Sequence, residues 1–350
     1  MYSEADLQSA VAAGAISREA ADGLRTHASG MRSAPVADEE HFRLITGFND
    51  IFVTIAAVML LAALAGIGDA IAPGVAGLLI AGAAWGMAEF FTRQRRMALP
   101  SIVLLLAFVG GVAAIPINIL AETDPDIAER TAALIGAGIA LLAGGAAWLH
   151  WRRFMVPITP AAGAAAIAAT AIALIVAAIA PWARGMEPEA ILLPLVFVAG
   201  LGVFAWAMRW DMSDRARETR RSDVAFWLHL LAAPMIAHPL FHWLGVTQGE
   251  NIGSAAALGV LAVYVLMGIV ALAVDRRALL VSALAYVLVA LTWLFREFGM
   301  VELNVAITAL VIGSALLTLS AFWTPIRRGV VEQLPGNLRG MLPETGYAIA

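Results

Sequence analysis

The chain has 350 residues, of which 61% are hydrophobic and 14% charged, with a net charge of −4. Soluble domains carry roughly 45–50% apolar and about 25% charged residues, so a water-facing fold could not hide this much apolar surface. The absence of cysteine excludes disulfides, thiolate metal sites and cysteine nucleophiles. The lack of a basic stripe speaks against nucleic-acid binding, and nothing in the composition requires a cofactor.

Residues 1–40 read as a small cytoplasmic helical hairpin and linker. Ser3 with Asp6 gives a capping-box start, and Leu7 and Val11 supply an apolar face. Gly14 stops this helix, and Ser17 caps a second one running to about His27. The stretch ASGMRSAPVADEE (28–40) is a polar linker. The opening has no basic segment followed by an apolar core, so the first span is expected to serve as an uncleaved insertion signal.

Ten apolar helices of bilayer length follow within residues 41–325, since about 20 residues cross the hydrocarbon core. They are expected at 44–67, 71–91, 99–121, 131–150, 157–180, 190–210, 224–244, 253–274, 278–298 and 301–323. Residues 326–350 read as a polar cytoplasmic tail broken by Pro and Gly. With both termini inside, 19 of the 22 arginines fall on cytoplasmic segments, and only Arg130, Arg184 and Arg296 fall outside. Arginine collects on the cytoplasmic side because its outward passage is opposed during insertion. Trp148, Trp151, Trp182, Trp210, Trp243 and Trp323 sit at span ends, where amphipathic rings favour the interface. Runs such as GVAGLLIAGAAWG, LIGAGIALLAGGAAW and PAAGAAAIAAT would let helix backbones approach closely. The fold class is therefore an all-α polytopic membrane bundle. All basic residues except His are Arg, which with the many Ala and Gly suggests a GC-rich bacterial genome and an inner-membrane location.

Polar residues inside spans mark candidate sites, because they are expensive in hydrocarbon. One set gathers at the expected outer ends: Asn118 and Glu122 on helix three, His238 and His242 on helix seven, Arg296 and Glu297 on helix nine, and Glu302 and Asn304 on helix ten. If these helices are neighbours, they line a pocket for a small solute or ion. His238 and His242, four apart in HPLFH, could instead share a metal with Glu122 or Glu302. Pro234 and Pro239 would kink helix seven. Toward the cytoplasm, Asp50 and Glu89 are candidate ion-coupling carboxylates, and His150 and His229 end or begin their helices. His229 lies nine residues from His238, on the opposite side of the helix and about 13 Å away along it. No P-loop, GxSxG or HExxH is present.

LQSAVAAGAISREAADGL followed by FNDIFVTIAAVMLLAAL resembles the opening of uncharacterised bacterial polytopic membrane proteins, domain-of-unknown-function families with a short N-terminal hairpin before many spans. GIALLAGGAAWLHWRRF and GSALLTLSAFWTPIRRGVVEQLP are similar to the same group. The resemblance implies an inner-membrane bundle and brings no catalytic residues. HPLFH is also similar to the terminal HxxxH of seven-span zinc hydrolases of lipid amides, without their further histidine motifs. The leading expectation is binding or transport of a small solute or ion. The alternatives are a metal-dependent membrane enzyme using His238 and His242, and a scaffold that recruits a partner through the hairpin.

Overall fold

The computed structural model describes residues 9–24, 48–123, 127–183, 185–215, 217, 219–247, 253–297 and 304–343, with 123, 278, 293–297, 304 and 305 described by backbone alone. The chain divides into two compact units, Met1–Leu44 and Ile45–Ala350. In the first, helical turns span 9–12 and 18–24. Gly14 ends the earlier turn at φ +72°, a left-handed conformation that glycine adopts without strain. The Ser17 hydroxyl accepts the Ala20 N–H at 3.1 Å, the bond expected of an N-cap. Ser3, Asp6 and the linker 28–40 lie outside the described residues.

The second unit is helical, with no strand among its described residues. Its helices are α1 (Phe48–Asp69), α2 (Val75–Ala88), α3 (Ala98–Thr123), α4 (Glu129–Phe154), α5 (Thr159–Ile179) and α6 (Pro188–Met212). There follow α7 (Arg220–Trp243), α8 (Ser254–Val274), α9 (Ala278–Glu297), α10 (Asn304–Ala321), α11 (Trp323–Glu332) and α12 (Gly336–Arg339). A π-helical turn, Glu89–Gln94, extends α2. A helix thus stands at each of the ten expected places. Among the described residues, α1 to α8 are long and apolar enough to cross a membrane, and α10 with α11 adds a ninth span if that bent pair counts as one. These are the dimensions of a multi-pass membrane protein.

Helices α1, α2 and α3 pack together, α3 also packs on α4, and α4 packs closely on α5. Beyond them, α6 packs on α7, α7 on α5 and α9, and α9 on α8 and α10. The α2–α3 crossing needs glycine on both sides. A Cβ on Gly77 would lie 2.6 Å from the Gly111 carbonyl oxygen, and one on Gly111 would lie 2.9 Å from the Gly77 carbonyl oxygen. Helix α7 remains helical through Pro234 and Pro239. It is the most enclosed span, with half of its apolar window buried, against 17% in α1, α3 and α4.

Residues 326–343 are packed against the helices. Helix α10 stops at Ala321, and α11 leaves at a 76° bend. Pro325 explains the break: in a continuing helix its ring would clash with the Ala321 carbonyl, whereas in the first turn of a new helix it is tolerated. Trp323, Arg327 and Val331, four apart, form the buried face of α11. Val331, Leu342 and Val274 form one small apolar cluster. The chain through Pro343 therefore belongs to the bundle, because an amphipathic face had to be covered.

Candidate functional site

Three acidic and three basic side chains meet where α6, α8 and α11 end or begin. Asp211 lies in the last turn of α6, Asp214 just after it, and Asp275 caps α8 with φ +60°. Arg217 sits in the α6–α7 connection, Arg276 in the α8–α9 turn, and Arg327 on α11. His229 and Ser222 of α7 complete the group. Asp211, His229 and Arg276 are at most 2% exposed. Buried charges persist only when paired and hydrogen-bonded, and these pairs are made in full view of one another.

The Asp211 carboxylate is the hub. Its Oδ1 accepts from Arg276 Nη2 at 2.5 Å, and its Oδ2 lies 2.9 Å from His229 Nε2. An ionised carboxylate only accepts, so the shared proton sits on Nε2. His229 Nδ1 then has no hydrogen-bond partner among the described residues, and Phe204 meets the ring edge-on at 5.1 Å. Arg276 Nη2 also donates to the Ser222 carbonyl at 3.1 Å, tying the α8–α9 turn to the start of α7. Asp214 Oδ2 accepts the Thr219 N–H at 3.0 Å and the Thr219 hydroxyl at 2.6 Å, so it holds the N-terminal end of the same helix.

Asp275 is a second hub. Its Oδ2 accepts from Arg217 Nη1 at 2.8 Å, and its Oδ1 accepts the Trp323 indole N–H at 2.6 Å. Arg327 Nε stands 3.6 Å from the same carboxylate, and Arg327 Nη2 donates to the Pro343 carbonyl at 2.8 Å. Arg217 Nη2 donates to the Val274 and Asp275 carbonyls at 3.2 and 3.0 Å. A cation there suits the negative end of α8. Burial, with Arg276 nearby, pulls the Arg217 guanidinium below its ordinary value, while Asp275 and Asp211 oppose the shift. Arginine remains charged throughout.

The residues singled out from sequence fall elsewhere. His238 Nδ1 lies 2.8 Å from the Tyr286 hydroxyl, and His242 Nδ1 lies 2.6 Å from the Thr247 hydroxyl. His242 Nε2 is 3.3 Å from Glu189, whose side chain is 70% exposed. The two imidazole centroids are 6.4 Å apart. Among the described residues, no three His, Asp or Glu side chains converge as metal ligands. Asn118 and Glu122 belong to α3, whose main packing partners are α1, α2 and α4. The structure therefore does not gather them with His238 and His242. The side chains of Arg296, Glu297 and Asn304, and all of Glu302, lie outside the described residues.

Asp50 is buried in the first turn of α1, where a carboxylate suits the positive end of the helix. Its backbone carbonyl accepts the Thr54 hydroxyl at 2.6 Å. Glu89 is engaged twice by Arg153 of α4, at 2.6 and 2.9 Å, and once by Arg93 at 3.3 Å. This joins the π-helical end of α2 to the end of α4. His150 is fully buried among Trp85, Phe108 and Phe154, and neither ring nitrogen has a partner among the described residues.

Sequence reasoning missed Asp211, Asp275 and the role of Arg276. One signal was present: RWDM and VDRR both place an acid within two residues of an arginine at a span end. Comparison with known proteins found no similarity: no family model, no curated protein and no solved structure matches this chain.

Proposed function

We propose that this chain is a ten-span inner-membrane protein, with both termini in the cytoplasm, that binds or transports a small solute or ion. The observation that carries the reading is the contact of Asp211, His229 and Arg276 inside the bundle at its arginine-rich end. Ionisable side chains buried among membrane-spanning helices mark ion and substrate paths or proton relays. The orientation rests on the arginine distribution, since Arg93, Arg153, Arg217, Arg276 and Arg327 all cluster where the ends of α2, α4, α6, α8 and α11 lie.

In this reading His229 is the proton-exchanging group. One imidazole nitrogen is held by Asp211, and the other is open to accept a proton. Asp211 and Arg276 fix its geometry. Asp50 and Glu89 stand aside, in a helix first turn and in an ion pair. A His238/His242 metal enzyme is disfavoured because, among the described residues, no group of three His, Asp or Glu side chains could hold a metal ion.

The test is a flux measurement in proteoliposomes holding a trapped pH dye. A panel of amino acids, organic acids, sugars and monovalent cations is applied under a proton gradient. A solute-dependent proton movement that disappears in His229→Phe supports the reading. No response and no solute-induced shift in thermal unfolding across the panel would sink it. Reporter fusions placing the two chain ends on opposite faces would overturn the topology.

A further inference from the structure

A second site lies on the flank of the bundle, sharing no residue with the Asp211 cluster. Helices α4, α5 and α6 enclose a cavity of about 830 Å³. Trp148, Trp151, Trp206 and Trp210 form its walls. Its floor is cut by Gly145 and Gly163, and a Cβ added at either would meet no atom within 4 Å. These glycines therefore open space instead of tightening the α4–α5 contact. Leu141, Ile167 and Leu174 at the rim are exposed, so the cavity faces the side of the bundle, where lipid lies.

We propose that this cavity is a phospholipid site that takes one acyl chain from the leaflet on the arginine-rich side, with an anionic headgroup against Arg152. The depth fits such an occupant. From Ala140 to Trp151 the cavity follows twelve residues of α4, whose helical rise spans roughly 16 Å. One leaflet contributes about 15 Å, half of the hydrocarbon core. The lining is apolar along this length, as a chain requires.

The polar features gather at one end. Arg152 is exposed, stacks on the Trp148 ring at 5.2 Å, and has no carboxylate partner among the described residues. Arg209, also exposed, follows Trp206 by three residues and so shares its helix face. The Thr159 hydroxyl, in the cavity wall at the start of α5, is buried without a partner. A cationic mouth above an apolar trough complements an anionic phospholipid.

The experiment uses the full chain exchanged into a delipidating detergent and then supplied with phosphatidylglycerol or phosphatidylcholine, with bound lipid counted by native mass spectrometry. Wild type should hold one phosphatidylglycerol in preference to phosphatidylcholine. Gly163→Leu, which fills the floor, should lose it. Arg152→Gln should bind phosphatidylglycerol about fivefold more weakly, the effect of one arginine near a lipid surface, and keep its phosphatidylcholine binding. Arg152 is exposed, so this variant reports even if Gly163→Leu fails to fold. Equal retention by wild type and Gly163→Leu, or no headgroup preference in wild type, overturns the proposal. So does retention of a phosphate-free apolar molecule unaffected by Arg152→Gln.

Discussion

Helix α7 carries histidine toward both of its ends, and the two regions use it in opposite ways. His229 is enclosed, held by Asp211, and linked through Arg276 and Ser222 to two connecting turns. His238 reaches the Tyr286 hydroxyl, and His242 reaches the Thr247 hydroxyl and stands 3.3 Å from exposed Glu189, toward the rim of the bundle. The i, i+4 spacing that makes the second pair conspicuous in sequence says only that both imidazoles share a helix face. Consequence follows from desolvation. A charge contact in the interior leaves its partner stranded when cut, and a surface contact is replaced by water.

Breaking the hub should have the largest effect. Asp211→Ala strands the Arg276 guanidinium and should cost about 3–5 kcal/mol, read as a steep fall in the thermal unfolding midpoint in detergent. Replacing both partners, Asp211→Leu with Arg276→Met, should recover much of that loss, since a buried pair and an apolar pair of similar volume are often close in stability. A double variant that is stable but inactive in the flux assay would separate coupling from architecture.

Trp323→Phe removes the indole donor to Asp275 and should cost about 1.5–3 kcal/mol, the range for a hydrogen bond to a charged group. Tyr286→Phe, at the other end, removes a donor or acceptor from exposed His238 and should cost no more than about 1 kcal/mol. A larger penalty there would erase the contrast. The smallest effect is expected from Glu89→Gln. Any loss should fade as salt is raised, because exposed pairs are screened over about 10 Å at 0.1 M. An undiminished loss in high salt would place that pair in a drier setting than its exposure implies.

Helix positions were legible because long apolar runs and arginine alternation are properties of contiguous sequence. The Ser17 cap and the Gly14 stop were legible for the same reason: each acts within three or four residues. Asp211 and Arg276 are 65 residues apart, and no periodicity announces that they touch. In sequence Arg276 reads as one more cytoplasmic arginine. The bend before α11 was also hidden, although Pro325 and the four-residue spacing of Trp323, Arg327 and Val331 encode it. Polarity averaged over the final 25 residues masked an amphipathic helix.

The 76° turn at Phe322 gives the bundle a sill. Helix α11 lies across the ends of other helices, gripped through Trp323 by the α8 cap, while Arg215 donates to the Leu342 carbonyl from the α6 side. Any rocking of α6 against α8 must drag or release this crosspiece. A fluorophore on an exposed position of α11, such as Arg328, would therefore register rearrangement of α6 against α8 without a label on either helix.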